Sequence, residues 1–180
     1  MRADAAHNLE AVLTTGARLL NDDPATSIAA IAAAASVDRR TVYRRFASRE
    51  ELLAAIYTAR LDAIEAAADA ARLAEAPVAV ALHRYAEAII AVNRAWPVDL
   101  ARMTADPALR ERRARSVERV EAFLGRAVDD GLLRTGMPPG WAGALLGRLL
   151  HLAAAELPAL GAGQAADVLV ETFLRGVGRE

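Results

Sequence analysis

Residues 36–50 read SVDRRTVYRRFASRE and place five arginines, Arg39, Arg40, Arg44, Arg45 and Arg49, in a span from 39 to 49 that holds no acidic residue. The 180-residue chain as a whole has a formal net charge of only −1, so this is a local concentration rather than a general basicity. Asp38 is a good N-cap for a helix over 39–46, because its carboxylate accepts from the first free amides and suits the positive end of the helix dipole. At about 100° per residue, Val42 and Phe46 fall within about 40° of each other, while Arg40, Thr41, Tyr43, Arg44 and Arg45 occupy the remaining circumference. One narrow edge packs, and the rest faces outward.

Upstream, residues 7–20 (HNLEAVLTTGARLL) carry Leu9, Val12, Leu13, Ala17 and Leu20 at helical spacing, and NDDP then stops the helix. Thr26 or Ser27 can cap a second helix of about two turns in which Ile28, Ile31, Ala32 and Ala35 share a face. Ser36 and Val37 form a tight break. A short helix, a tight turn and a second helix held by few apolar residues is the geometry of a helix-turn-helix, whose second helix enters the major groove of DNA. Arginine suits that role because its planar fork meets guanine O6 and N7, or phosphate oxygens, with two hydrogen bonds at once. Threonine and tyrosine hydroxyls donate to phosphates without adding charge.

Downstream, Ser48 and Glu51 have capping-box spacing and open a long helix with no breaker over 49–76. Pro77, Pro97 and Pro107 each sit where a first turn tolerates proline, predicting helices over 77–96, 97–106 and 107–131. Residues 131–140 (GLLRTGMPPG) read as a loop, and 141–157 and 164–177 as the last two helices. Nothing alternates with the period of a strand. The chain therefore reads as all-α, with about nine helices. Alanine near a quarter of the residues, 4% aromatics and basic residues that are all arginine agree with this.

Several function classes drop out. There is no cysteine, and His7, His83 and His151 are far apart, so neither metal nor thiol chemistry is expected. No cofactor is implied either. Residues 161–166 (GAGQAA) fit a dinucleotide-binding glycine spacing, but that fingerprint needs a preceding strand and here a helix ends, so they read as loop. His151 and Glu156 lie about 140° apart on one helix, and no nucleophile motif is present, which argues against an enzyme. Residues 110–119 (RERRARSVER) hold five arginines too, yet Glu111 and Glu118 interrupt them, as on a solvated, salt-bridged face. No apolar run reaches the ~18 residues of a membrane span, and the N-terminus lacks a secretory pattern, so a cytoplasmic protein is expected.

The stretch IAAAASVDRRTVYRRFASREELLAAI, from Ile31 to Ile56, resembles the N-terminal signature of TetR-family transcriptional repressors. The resemblance implies a DNA-binding domain over 1–50 and a helical ligand-binding and dimerisation domain over 51–180. It implies phosphate contacts from Thr26 or Ser27, from Thr41 and Tyr43, and from Arg49 at the head of the fourth helix. Arg39, Arg40 and Arg44 stand where such proteins approach bases, and Arg45 where either base or phosphate is met. Two departures stand out. The family usually has glycine in the turn where this chain has Ser36, a substitution that costs on the order of 1 kcal/mol in a left-handed conformation. It usually has a small residue where this chain has Arg40, which should change the bases that are read.

Residues after 50 carry 15 basic and 17 acidic side chains, an unsuitable surface for nucleic acid. The resemblance implies that they enclose a small-molecule pocket whose occupation repositions the long fourth helix. His83, Tyr85, Asn93, Trp96, Met103 and Phe123, polar or aromatic on otherwise apolar helices, are the candidate lining. The last two helices hold Trp141, Leu145, Leu149 and Leu152, then Val168, Leu169 and Phe173, with Gly143 and Gly147 four apart to admit a close neighbour. These are the candidate interface of a homodimer, which would present two reading heads to a palindrome at ~34–36 Å or a multiple. The resulting expectation is a DNA-binding regulator released by a small effector. The alternative is a helical ligand-binding or scaffold protein whose basic module meets a protein partner.

Overall fold

The computed structural model describes residues 2–98 and 106–179. Eight helices account for most of them: α1 (Arg2–Asp22), α2 (Ile28–Ala34), α3 (Arg39–Arg45), α4 (Arg49–Ala71), α5 (Val78–Ala95), α6 (Pro107–Asp129), α7 (Trp141–Glu156) and α8 (Ala162–Val177). No strand occurs among the described residues, where a lone antiparallel bridge pairs Leu133 with Gly178. The all-α expectation is met. The helix expected over 97–106 lies largely on residues 99–105, outside the described residues.

The chain forms two compact units, one of residues 1–62 with 95–110 and the other of 63–94 with 111–180. The division comes within α4, further along than the sequence boundary at residue 50. In the first unit, Val12, Leu13, Ala17 and Leu20 of α1 meet Ile28, Ile31 and Ala32 of α2, Val42 and Phe46 around α3, and Leu52 and Ile56 of α4. Gly16 permits the close approach: a Cβ there would stand 2.9 Å from Ile56 Cδ1.

The turn between α2 and α3 is a Schellman motif. Val37 N–H donates to Ala32 O (3.0 Å) and Ser36 N–H to Ala33 O (3.1 Å), so two carbonyls left over by α2 find partners. This closure requires a left-handed residue, and Ser36 takes that place at φ 56°. α3 then starts on Asp38, whose Oδ1 accepts from Arg40 N–H (2.8 Å) and Thr41 N–H (3.2 Å).

The second unit is built on Leu82, Tyr85, Ile90, Phe123, Leu146 and Phe173 from α5, α6, α7 and α8. Arginines close its helix ends. Arg126 donates to Leu73 O (2.7 Å) and Ala76 O (2.6 Å), and Arg94 to Leu157 O (2.8 Å) and Leu160 O (3.0 Å). This explains why α4 stops at Ala71 rather than near 76. Arg72 turns left-handed at φ 53°, Leu73 enters the core, and Arg126 satisfies carbonyls that another helical turn would have used. Ala162 and Gly163, expected to precede the last helix, open α8 instead: Gln164 Oε1 accepts from Gly161 N–H (3.1 Å), which starts the helix at Ala162.

The acid-interrupted face of α6 is salt-bridged, as expected. Arg112 grips Glu65 through two hydrogen bonds (2.7 and 2.5 Å), Arg119 meets Asp69 (2.6 Å) and Arg115 meets Glu111 (2.8 Å). The Arg112 bonds hold the Glu65 carboxyl below its usual range.

Glycine adopts the Ser36 conformation without a Cβ clash, whereas a β-branched residue fits it poorly. Ser36→Gly is expected to raise the unfolding free energy by about 0.5–1 kcal/mol in urea titrations, net of the extra chain entropy glycine loses. Ser36→Val should lower it.

Candidate nucleic-acid interface and companion surfaces

The basic segment is a scaffolded surface rather than a loose charged tail. Val42, 2% exposed, and Phe46, 6% exposed, are its buried edge, and Arg39, Arg40, Tyr43, Arg44 and Arg45 are all exposed. Among the described residues, Arg40, Arg44 and Arg45 have no ion pair or hydrogen-bonding side-chain partner. Arg39 stacks its guanidinium over the Tyr43 ring, 5.0 Å from the centroid, one helical turn away. Thr41 is half-buried.

Around α3 the capping residues divide their roles. Thr26 donates its hydroxyl to Leu19 O (3.3 Å) and is half-buried, which commits its proton to α1. Ser27 is the N-cap of α2, its oxygen accepting from Ala30 N–H (3.1 Å), and it is exposed with its own proton free for a phosphate. Of the two, Ser27 is the better donor. Arg49 donates to Pro24 O across the α1–α2 loop, so part of its fork anchors the head of α4 and its remaining N–H groups are what a phosphate would meet. Ser48 Oγ accepts from Glu51 N–H (3.2 Å), and the Glu51 carboxylate reaches back to Ala47 N–H (2.8 Å).

One residue the sequence reading missed is Arg60. It lies on α4 at 4% exposure and donates to Trp96 O, tying that helix to the end of α5. Nothing local in the sequence marks it, because its partner is 36 residues away.

The candidate pocket residues do not share one surrounding. Tyr85 and Phe123 belong to the core of the second unit, and Asn93, also buried, donates to Leu150 O (3.3 Å) of α7. His83 is instead at the surface, paired with Asp167 (2.8 Å). Trp96 is half-buried against the core of the first unit, and Met103 lies outside the described residues.

α7 and α8 are two-faced. α7 buries Ala142, Leu146, Leu150 and Ala153, leaves Trp141 (51% exposed) and Leu152 (56%) exposed, and packs half-buried Leu145 and Leu149 at the edge of the core. On α8, Val168 is exposed, whereas the other two interface candidates, Leu169 and Phe173, are buried in the core of the second unit. They stand at core spacing with Ala165, Ala166 and Val177 and have almost no surface left for a second chain. The two glycines also separate. A Cβ on Gly143 would collide with the Glu121 carboxylate of α6, whereas Gly147 has nothing within 4 Å.

A model of the bacterial regulatory proteins of the tetR family matches residues 13–56. Over 137 residues the chain is 33% identical to the HTH-type transcriptional repressor LfrR of Mycolicibacterium smegmatis, covering 73% of this chain and 69% of that protein. The crystal structure of the TetR-like regulator LfrR from Mycobacterium smegmatis in complex with proflavine superposes with a TM-score of 0.73 at 27% identity, covering 93% of this chain and 94% of that one. The ketosteroid regulator KstR2 of Mycobacterium tuberculosis shares the fold alone, with a TM-score of 0.77 at 18% identity over 94% of each chain.

Asp38→Ala removes the acceptor for two amides at the start of α3 and is expected to cost about 1 kcal/mol in urea unfolding, while Asp38→Asn retains most of it. Burial pushes the Tyr85 hydroxyl up to about 12 from its ordinary 10.0. A group whose folded pKa lies above its unfolded value contributes stability that is complete below the unfolded value and is lost as pH rises. Stability should therefore fall between pH 10.0 and about 12, and Tyr85→Phe should flatten that decline in alkaline denaturation curves.

Proposed function

This chain belongs to the TetR family of bacterial regulatory proteins, DNA-binding transcriptional regulators, and we propose that it is a repressor acting as a homodimer on a palindromic operator and released by a small molecule. The observation that carries the DNA role is the exposed arginine face of α3, held behind a tight turn and free of internal ion pairs among the described residues. Arg39, Arg40, Arg44 and Arg45 supply the charge and the donor forks, with Ser27, Thr41, Tyr43 and Arg49 as phosphate donors at the edges. Binding to DNA would place the protein in the cytoplasm.

The dimer reading is supported by the second apolar face of α7. Trp141, Leu145, Leu149 and Leu152 lie within about 80° of one another on that helix, and exposed Val168 adds to them from α8. Paired with their symmetry mates, α7 and α8 would make a four-helix interface. Effector binding is supported by the relative whose structure is described in complex with proflavine. Tyr85, Asn93 and Phe123 remain the buried candidates for that site, and His83 is the least suited because Asp167 already engages it.

Titration of duplex DNA at rising salt tests the DNA role. Affinity should fall steeply, and a specific component should survive competition by random duplex. Equal competition by random DNA would point to the protein-partner alternative. For the dimer, Leu152→Glu combined with Val168→Glu should shift sedimentation equilibrium from dimer to monomer while leaving helicity intact, because neither side chain belongs to the buried core.

A further inference from the structure

Relative to the packed edge of α3 formed by Val42 and Phe46, the residue pointing most directly away is Arg44, with Arg40 about 40° to one side. Both are exposed and have no described partner. Arg39 and Tyr43 lie together on one flank, joined by their stack at 5.0 Å, and Thr41 and Arg45 lie on the other. A helix ~10–12 Å wide fills a major groove ~12 Å wide, so its outward edge meets the base floor and its flanks meet the two phosphate walls.

From this placement we infer that each operator half-site carries two G·C pairs, one read by Arg40 and one by Arg44, with Arg39 drawn to a phosphate by its stack on Tyr43. The inference rests on the DNA-reading role proposed above and adds the bases. Arginine has donors and no acceptor, so it fits the two adjacent acceptors of guanine, O6 and N7. Adenine sets an amino donor beside its N7, cytosine presents a donor, and thymine offers one acceptor beside a methyl group. The two arginines are four residues apart, about 6 Å along the helix axis, which is close to two base steps of ~3.4 Å. The two guanines are therefore expected within about two steps of each other. Arg39 keeps its in-plane donors when stacked, but its reach is spent along the flank, where the Tyr43 hydroxyl also points toward a phosphate wall.

The test is selection of bound duplexes from a random pool by the full chain, repeated with Arg40→Ala, Arg44→Ala and Arg39→Ala. Expected are two guanines per half-site in the wild-type winner. Arg40→Ala should relax one of them and Arg44→Ala the other, each weakening the selected site by about 10- to 100-fold relative to random duplex. Arg39→Ala should weaken all sequences alike. On the wild-type protein, 7-deazaguanine at either position removes N7 and should lower affinity, while inosine, which keeps O6 and N7, should not. A specific selected site that lacks these guanines, or keeps its preference in both Arg40→Ala and Arg44→Ala, overturns the base assignment and leaves the regulator reading intact. Selection that yields no preferred sequence at all overturns both.

Discussion

The burial of Val42 and Phe46 against α1, α2 and α4 is the contact on which the basic surface depends. α3 is seven residues long, far below the length at which an isolated helix persists in water. Its form comes from packing, assisted by the Asp38 cap before it and the Schellman closure of α2 before that. Each buried side chain is worth roughly 1.5–3 kcal/mol of transfer free energy. That small anchor holds four arginines of α3 in fixed directions, so the segment meets a partner already ordered and with less entropy left to lose.

The same residue type does three jobs, and only the fold separates them. Arg49, Arg60, Arg94 and Arg126 donate to backbone carbonyls near helix ends or in turns, where orphan acceptors would otherwise need water. Arg112, Arg115 and Arg119 pair with carboxylates of α4 and α6. Among the described residues, Arg40, Arg44 and Arg45 do neither. A net charge of −1 conceals this sorting.

α7 carries apolar residues over an arc wider than the core of the second unit covers. The stripe through Ala142, Leu146, Leu150 and Ala153 goes inside; on the adjacent one Leu145 and Leu149 are half-buried against the same core, and Trp141 and Leu152 are exposed. In α8 the inward stripe runs through Ala165, Ala166, Leu169, Phe173 and Val177, and Val168 alone of the three interface candidates there lies off it. Exposed apolar side chains grouped in this way mark an interaction surface.

Much of the architecture is a local property and was legible in the residues. Asp38, Ser27 and the Ser48–Glu51 pair act on amides within four positions of themselves, prolines act on their own turn, and the outward face of α3 follows from a 3.6-residue period. What the chain alone could not decide involves partners far along it. α4 ends at Ala71 through a left-handed Arg72 and a guanidinium from α6, and Arg60 is buried on a carbonyl of Trp96. The choice between two equally apolar stripes of α7 belongs to the same class, because periodicity gives the angle between side chains on one helix but carries no record of which neighbouring helix will cover them.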